Sequence, residues 1–280
     1  MNSTRLTLAA ATLLAATYVV CTTAVAGPFS PAAGEPGSSA VSTTDSRILS
    51  WATGFSNLVR GPIDIANPGL GNASFGTGAE AVGPASGIAT EVVSLGDGGQ
   101  ITLSFATPIT DRPGSDFAVF ENGLTFGGLY FLELGFVEVS SDGANFFRFD
   151  AVSLTQTTTQ VAAFDPLDPT DLNNLAGKYV AGFGTPFDLE ELAGVSPLLD
   201  IHNVNFVRIV DVVGSLAPAH RTLDSLGNPV NDPYPTAFAS GGFDLDGVAV
   251  LHEVPEPSAA LYATVALVSL IVGTARRRRS

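Results

Sequence analysis

Cysteine is almost missing from this chain. There is one in 280 residues, Cys21. That excludes a disulfide framework and a thiolate metal centre. Histidine is scarce too: His202, His220 and His252 stand far apart, and without cysteine they offer no zinc-ligand spacing. Basic residues are few, 12 Lys and Arg against 27 Asp and Glu, for a formal net charge of −15. Five of the twelve, Arg5 and Arg276 to Arg279, sit at the chain ends. The stretch from Glu35 to Glu256 holds every acidic residue and carries a charge of about −20. A body this acidic repels nucleic acid, so no such partner is expected, and it attracts cations. Catalytic signatures are missing as well. There is no G-x-S-x-G and no H-E-x-x-H. Gly71 to Gly78 is glycine-rich but has no strand-then-helix context for phosphate. Glu133 and Glu138 are two carboxylates of the kind glycosidases use, but their odd spacing puts them on opposite faces of one strand. A non-enzymatic protein is expected, with an envelope glycoside hydrolase as the third-ranked reading.

What is present is clearest at the ends. The N-terminus has Arg5, an apolar run from Leu6 to Val20, and Ala24-Val25-Ala26 as an A-x-A cleavage site. Residues 1–26 therefore read as a signal peptide, and Cys21 leaves with it. Lipidation of Cys21 is disfavoured because Val20 stands where a small residue is needed. The C-terminus reads Val254, Pro255, Glu256, Pro257, then an uncharged run from Ala259 to Ala275, then Arg276, Arg277, Arg278 and Arg279. As a helix that run would be about 25 Å long, at the short end for crossing a bilayer. The arginines form a stop-transfer cluster on the cytoplasmic side.

This order of parts, over residues 254–280, resembles the PEP-CTERM sorting signal. The resemblance implies recognition by an exosortase, removal of the transmembrane helix near Pro255-Glu256-Pro257, and a bacterium that makes extracellular polysaccharide. The protein would be anchored in the membrane before processing and lie on the cell surface or in the extracellular matrix afterwards. A plain C-terminal anchor is the alternative.

Between the ends, Gly27 to Thr44 is rich in Gly, Pro, Ser and Ala and reads as a flexible lead. Residues 45–253 suffice for one domain with its own core. Eight segments read as strands by their Val, Ile, Phe and Thr content: RILSW, TEVVSLG, QITLSFATPI, DFAVFENG, YFLELGFVEVSSDG, NFFRFDAVSL, VNFVRIVDVV and FDLDGVAVLHEV. In ITLSF, Ile101, Leu103 and Phe105 alternate with Thr102 and Ser104. Ser141-Asp142-Gly143 reads as a tight hairpin, and Asp188 to Gly194 as a capped helical turn. The expected fold is all-β: an antiparallel two-sheet sandwich, a jelly roll with long loops. The stretch Phe136 to Phe149, FVEVSSDGANFFRF, resembles the strand-turn-strand of galactose-binding-type, discoidin-like jelly rolls. The resemblance implies architecture and says little about ligand.

Candidate sites follow from carboxylates and aromatics. Asp244 and Asp246 alternate along a strand and would share one face, about 7 Å apart. With Asp224 and Asp232 in the loop before them, they form the expected site of a structural Ca2+. The alternative is solvated loop acids in ordinary turn roles. Asp165, Asp168, Asp171, Asn173 and Asn174 form a second acidic loop. Asp116 and Glu121 flank a buried-looking strand. Trp51, Tyr130, Tyr179 and Tyr234 are the aromatics available to stack on sugar, against a reading as packed side chains. The expected role is an exported envelope or matrix protein that binds polysaccharide. The alternative is a structural or adhesive protein without sugar specificity.

Overall fold

The computed structural model describes residues 26–255. The leader before them lies outside the described residues, as do Glu256, Pro257, the apolar run and Arg276 to Arg279. Among the described residues, no helix is long and apolar enough to cross a membrane.

Among the described residues, the chain forms antiparallel β-sheets with only short 3-10 turns. One sheet is built from β1 (Val41–Ser42), β2 (Ser50–Trp51), β4 (Val93–Ser94), β6 (Phe117–Glu121), β13 (Phe183–Phe187) and β15 (Asp244–Val250). Its order is β1-β13-β6-β15-β2, with β4 pairing β15. The other contains β3 (Gly54–Val59), β5 (Gln100–Ile109), β9 (Gly135–Ser140), β10 (Phe147–Arg148) and β14 (Val204–Asp211). Its order is β10-β9-β14-β5-β3. Two small hairpin-like pairs complete the set: β7 (Leu124–Phe126) with β8 (Leu129–Phe131), and β11 (Val152–Ser153) with β12 (Leu172–Asn173).

The long strands alternate between the sheets along the chain, so each sheet donates to one shared core. Ile101, Leu103, Val137, Val139, Val207 and Ile209 face Phe117, Val119, Leu245 and Val248 in that core. β5 spans the residues of the predicted QITLSFATPI strand, with Ile101 and Leu103 fully buried. Phe117, Phe149 and Phe187 form its aromatic centre, with ring centroids 5.0 to 5.9 Å apart. The hairpin at Ser141 to Gly143 forms as read. Phe147 pairs with Val139, and Asp142 accepts from the N–H groups of Ala144 and Asn145. The helical turn forms too. Leu189–Leu192 is a 3-10 helix, Asp188 accepts from Glu190 N, and Gly194 follows with φ +74°.

The stretch 27–44 is not a flexible lead. Val41 and Ser42 pair with Gly184 and Phe183, and the N–H of Phe29 donates to Thr170 O. The physical reason lies on the outer face of the first sheet. There Ala118, Phe120, Ala249 and Leu251 point away from the shared core, and Val41, Ile48 and Trp51 cover them. Each fully covered large apolar side chain contributes about 1.5–3 kcal/mol, which draws the segment onto the sheet. At the other end, the N–H of Val254 donates to Pro108 O, and Pro255 is exposed.

Candidate functional site

A cavity of about 320 Å³ opens at one end of the sandwich. Its polar floor is made by Asn122, just after β6, by Glu133, between β8 and β9, and by Asp244, the first residue of β15. Its walls carry Phe75, Phe131, Phe164 and Phe238. Phe164 contacts Phe131 and Phe238 at 5.9 and 5.6 Å between centroids, forming a row of three rings. Phe164 is 74% exposed and Phe238 46%. Beside them the β7–β8 hairpin exposes Leu124, Phe126 and Leu129. Exposed apolar rings clustered at a cavity mouth are unusual on a soluble domain and mark a contact surface.

The floor is built for charge it does not neutralise. Asp244 is 5% exposed. Its Oδ2 accepts from the Asn122 amide at 3.2 Å, its Oδ1 is buried, and the buried Ser94 hydroxyl lies beside the carboxyl. Glu133 is equally buried, and among the described residues no donor reaches its carboxylate. Behind them Glu121 uses Oε2 to accept from Gly123 N at 2.6 Å and leaves Oε1 unpartnered. Burial, and next the charge of Asp244, pushes the Glu121 carboxyl well up. The same causes raise Glu133, with Glu121 adding to Asp244. Burial pushes Asp244 up to about 6, against hydrogen bonds from Ser94 and Asn122 and the positive charge of Arg60. Arg60 itself is held by the carbonyls of Phe75, Ser94 and Gly76. Gly177, at φ +80°, fixes Glu133 in place, because a Cβ there would strike the Glu133 carbonyl.

The four aspartates expected to hold Ca2+ do not come together. Asp246 spends its oxygens on the N–H groups of Ser86 and Gly87, at 2.9 and 2.8 Å. Asp224 caps its own loop, accepting from Leu226, Asn228 and Ser153. Asp232 accepts from Leu134 N and keeps Oδ1 unpartnered. A register shift between Leu245 and Gly247 breaks the strand alternation on which the Asp244–Asp246 pairing rested. In the second acidic loop, Asp168 caps the short 3-10 turn Pro169–Asp171.

Among the described residues, one group of metal-capable side chains does converge, on other residues. Asp111, Asp116 and Asp188 each offer an oxygen, all within 4.8 Å of one another. Asp116 is fully buried and accepts from Arg112 N, Leu189 N and His252 Nδ1. Asp111 Oδ1 is buried with no partner. Hard oxygen donors with one unsatisfied lone pair suit a cation. Of these three, sequence reasoning singled out Asp116 as a ligand candidate and Asp188 as a cap.

Three of the four expected stacking aromatics are engaged in internal contacts. Tyr179 is buried, its hydroxyl bonded to Ser30 and Ser39. Tyr234 donates to Asp64 Oδ1 at 2.8 Å. Trp51 packs on Phe120 at 5.2 Å. Tyr130 is half-buried and lines a separate cleft with Leu167 and Asp168. Glu138 is no free acid, since Arg148 and Arg208 both donate to it. Compared with known proteins, the chain matches no family model and no curated sequence.

Proposed function

We propose that this chain is an exported, non-enzymatic protein of the cell envelope or extracellular matrix, with a galactose-binding-type jelly-roll body that binds polysaccharide. The aromatic-walled, acid-floored cavity carries this reading. Sugar sites combine ring faces for the C–H side of a pyranose with buried polar groups for its hydroxyls. The two ends supply the address: a cleaved leader, and a PEP-CTERM-like tail that an exosortase removes after transient membrane anchoring. A glycan array probed with the secreted chain tests the binding. Signal confined to one class of polysaccharide supports it, and a blank array refutes it. Mass spectrometry of the protein from its native host tests the tail. Intact Arg276 to Arg279 on most molecules refutes exosortase processing.

The exposed hairpin Leu124 to Phe131 favours a second reading, a structural or adhesive matrix protein without sugar specificity. Phe126, 88% exposed, would be its contact point. A blank array with retained self-association would favour it.

We also assign a structural Ca2+ to Asp111, Asp116 and Asp188. At free calcium about 100-fold above the dissociation constant, binding stabilises the fold by about 2.7 kcal/mol. For a domain of this size the melting point should rise by roughly 5–11 °C. Asp111→Asn should remove most of that rise. An identical response to magnesium or sodium would count against the site.

A further inference from the structure

We propose that the cavity over Glu133 and Asp244 binds an amino sugar through its protonated amine. This rests on the polysaccharide reading and narrows it to sugars with a free ammonium group. The floor presents Glu133 and Asp244, each 5% exposed, and among the described residues no donor reaches the Glu133 carboxylate. Such groups are costly unless a ligand supplies donors and positive charge. An ammonium group has three donors and no acceptor, which matches a floor rich in acceptors. Arg60 lies close enough to offset part of the charge, but its own donors are taken by backbone carbonyls.

The walls select against the other occupants. No three carboxylates at this cavity approach within the 4.8 Å that the Asp111 group achieves. A calcium ion needs six to eight oxygens, and four phenylalanines here offer none. A neutral sugar offers hydroxyl donors to the acids but no positive charge. An amino sugar places its ammonium on the floor and its C–H face on the exposed rings of Phe164 and Phe238. Rings beside a bound cation add cation–π attraction.

The test is calorimetric titration of the full chain in about 0.15 M salt, which suppresses diffuse attraction to an acidic surface. The pH is about 6.5, where an aliphatic amine is protonated. The probes are a glucosamine oligomer, its fully N-acetylated counterpart, a neutral glucose oligomer and oligolysine. The glucosamine oligomer should bind best. Glu133→Gln, which keeps the shape, should weaken it by about tenfold or more. Phe164→Ala, at an exposed ring, should weaken it too without lowering the melting point.

Equal binding of the N-acetylated or glucose oligomer overturns the amine assignment and leaves polysaccharide binding standing. Equal binding of oligolysine, unaffected by Phe164→Ala, overturns the sugar part. Failure of all the sugars overturns both readings. A Glu133→Gln protein that melts normally and binds the glucosamine oligomer as before overturns the placement at this cavity.

Discussion

Asp244 and Asp246 stand two residues apart on one strand and lead different lives. Asp246 is closed off, with each oxygen taken by a loop N–H. Asp244 has only the side chains of Asn122 and Ser94 beside it, and it borders a cavity. The same division runs through the domain. Asp211 holds Gly98 N and Phe243 N at 2.8 and 2.6 Å, and Asp224 holds three loop N–H groups. These acids stand in for missing backbone partners where irregular loops meet strands. Glu133 and Asp244 tie down little and face inward to space. Buried acids of the first kind explain a fold with long loops and no disulfide. Those of the second kind cost stability that a proton or a cationic ligand would return.

The comparison breaks most sharply at Asp211. Asp211→Ala removes two hydrogen bonds and strands the buried Phe243 N–H. The loss should be about 3–5 kcal/mol, read by denaturant unfolding. A loss below about 1 kcal/mol would mean that these acids do not hold the loops.

A pH series sharpens it next. Asp244 and Asp97 are pushed up to about 6 by burial, and burial drives Glu121, Glu133, Asp211 and Asp232 upward as well. The folded state then holds protons that the unfolded chain has released. Stability from these groups is full below the ordinary carboxylate range near ~4 and is lost as pH rises through about 6 and beyond. Asp142, Asp45 and Asp64 run the other way, held low by hydrogen bonds, and lose their contribution under strong acid. The melting point should therefore be higher near pH ~5 than near pH ~8, with Asp244 alone contributing about 1–1.5 kcal/mol of the difference. A flat profile from pH ~5 to ~8 would show that these acids are solvated or paired.

The smallest effect should be Glu133→Gln without ligand. Removing an uncompensated buried charge should raise stability by about 1 kcal/mol near pH ~8, and by less near pH ~5, where the acid is protonated. Destabilisation at both would place Glu133 among the acids that hold the fold.

Much of the fold was legible because its signals are local. The period-two pattern of Ile101 and Leu103 marked β5, and turn chemistry marked Asp142 and Asp188. Strand Phe183–Phe187 was not legible. Gly184 and Pro186 read as turn residues, yet Gly184 is needed because a Cβ would strike the Phe120 ring at 2.7 Å. The lead 27–44 looked unstructured because its composition is that of a linker, and nothing local says that a sheet face needs covering.

The cavity was least legible. Its phenylalanines come from four separate segments, and phenylalanine in a sequence reads as core. Asp244 was singled out for a different reason, as a calcium ligand on a regular strand, and the register shift at Leu245 to Gly247 undid that geometry; Glu133 was read only as a glycosidase-type carboxylate. By itself the sequence determined the all-β character and the acidity, because alternation and charge are written in neighbouring residues. Only the tertiary structure decided which carboxylates are satisfied. Their donors are backbone N–H groups up to 160 residues away, as Ser86 is for Asp246.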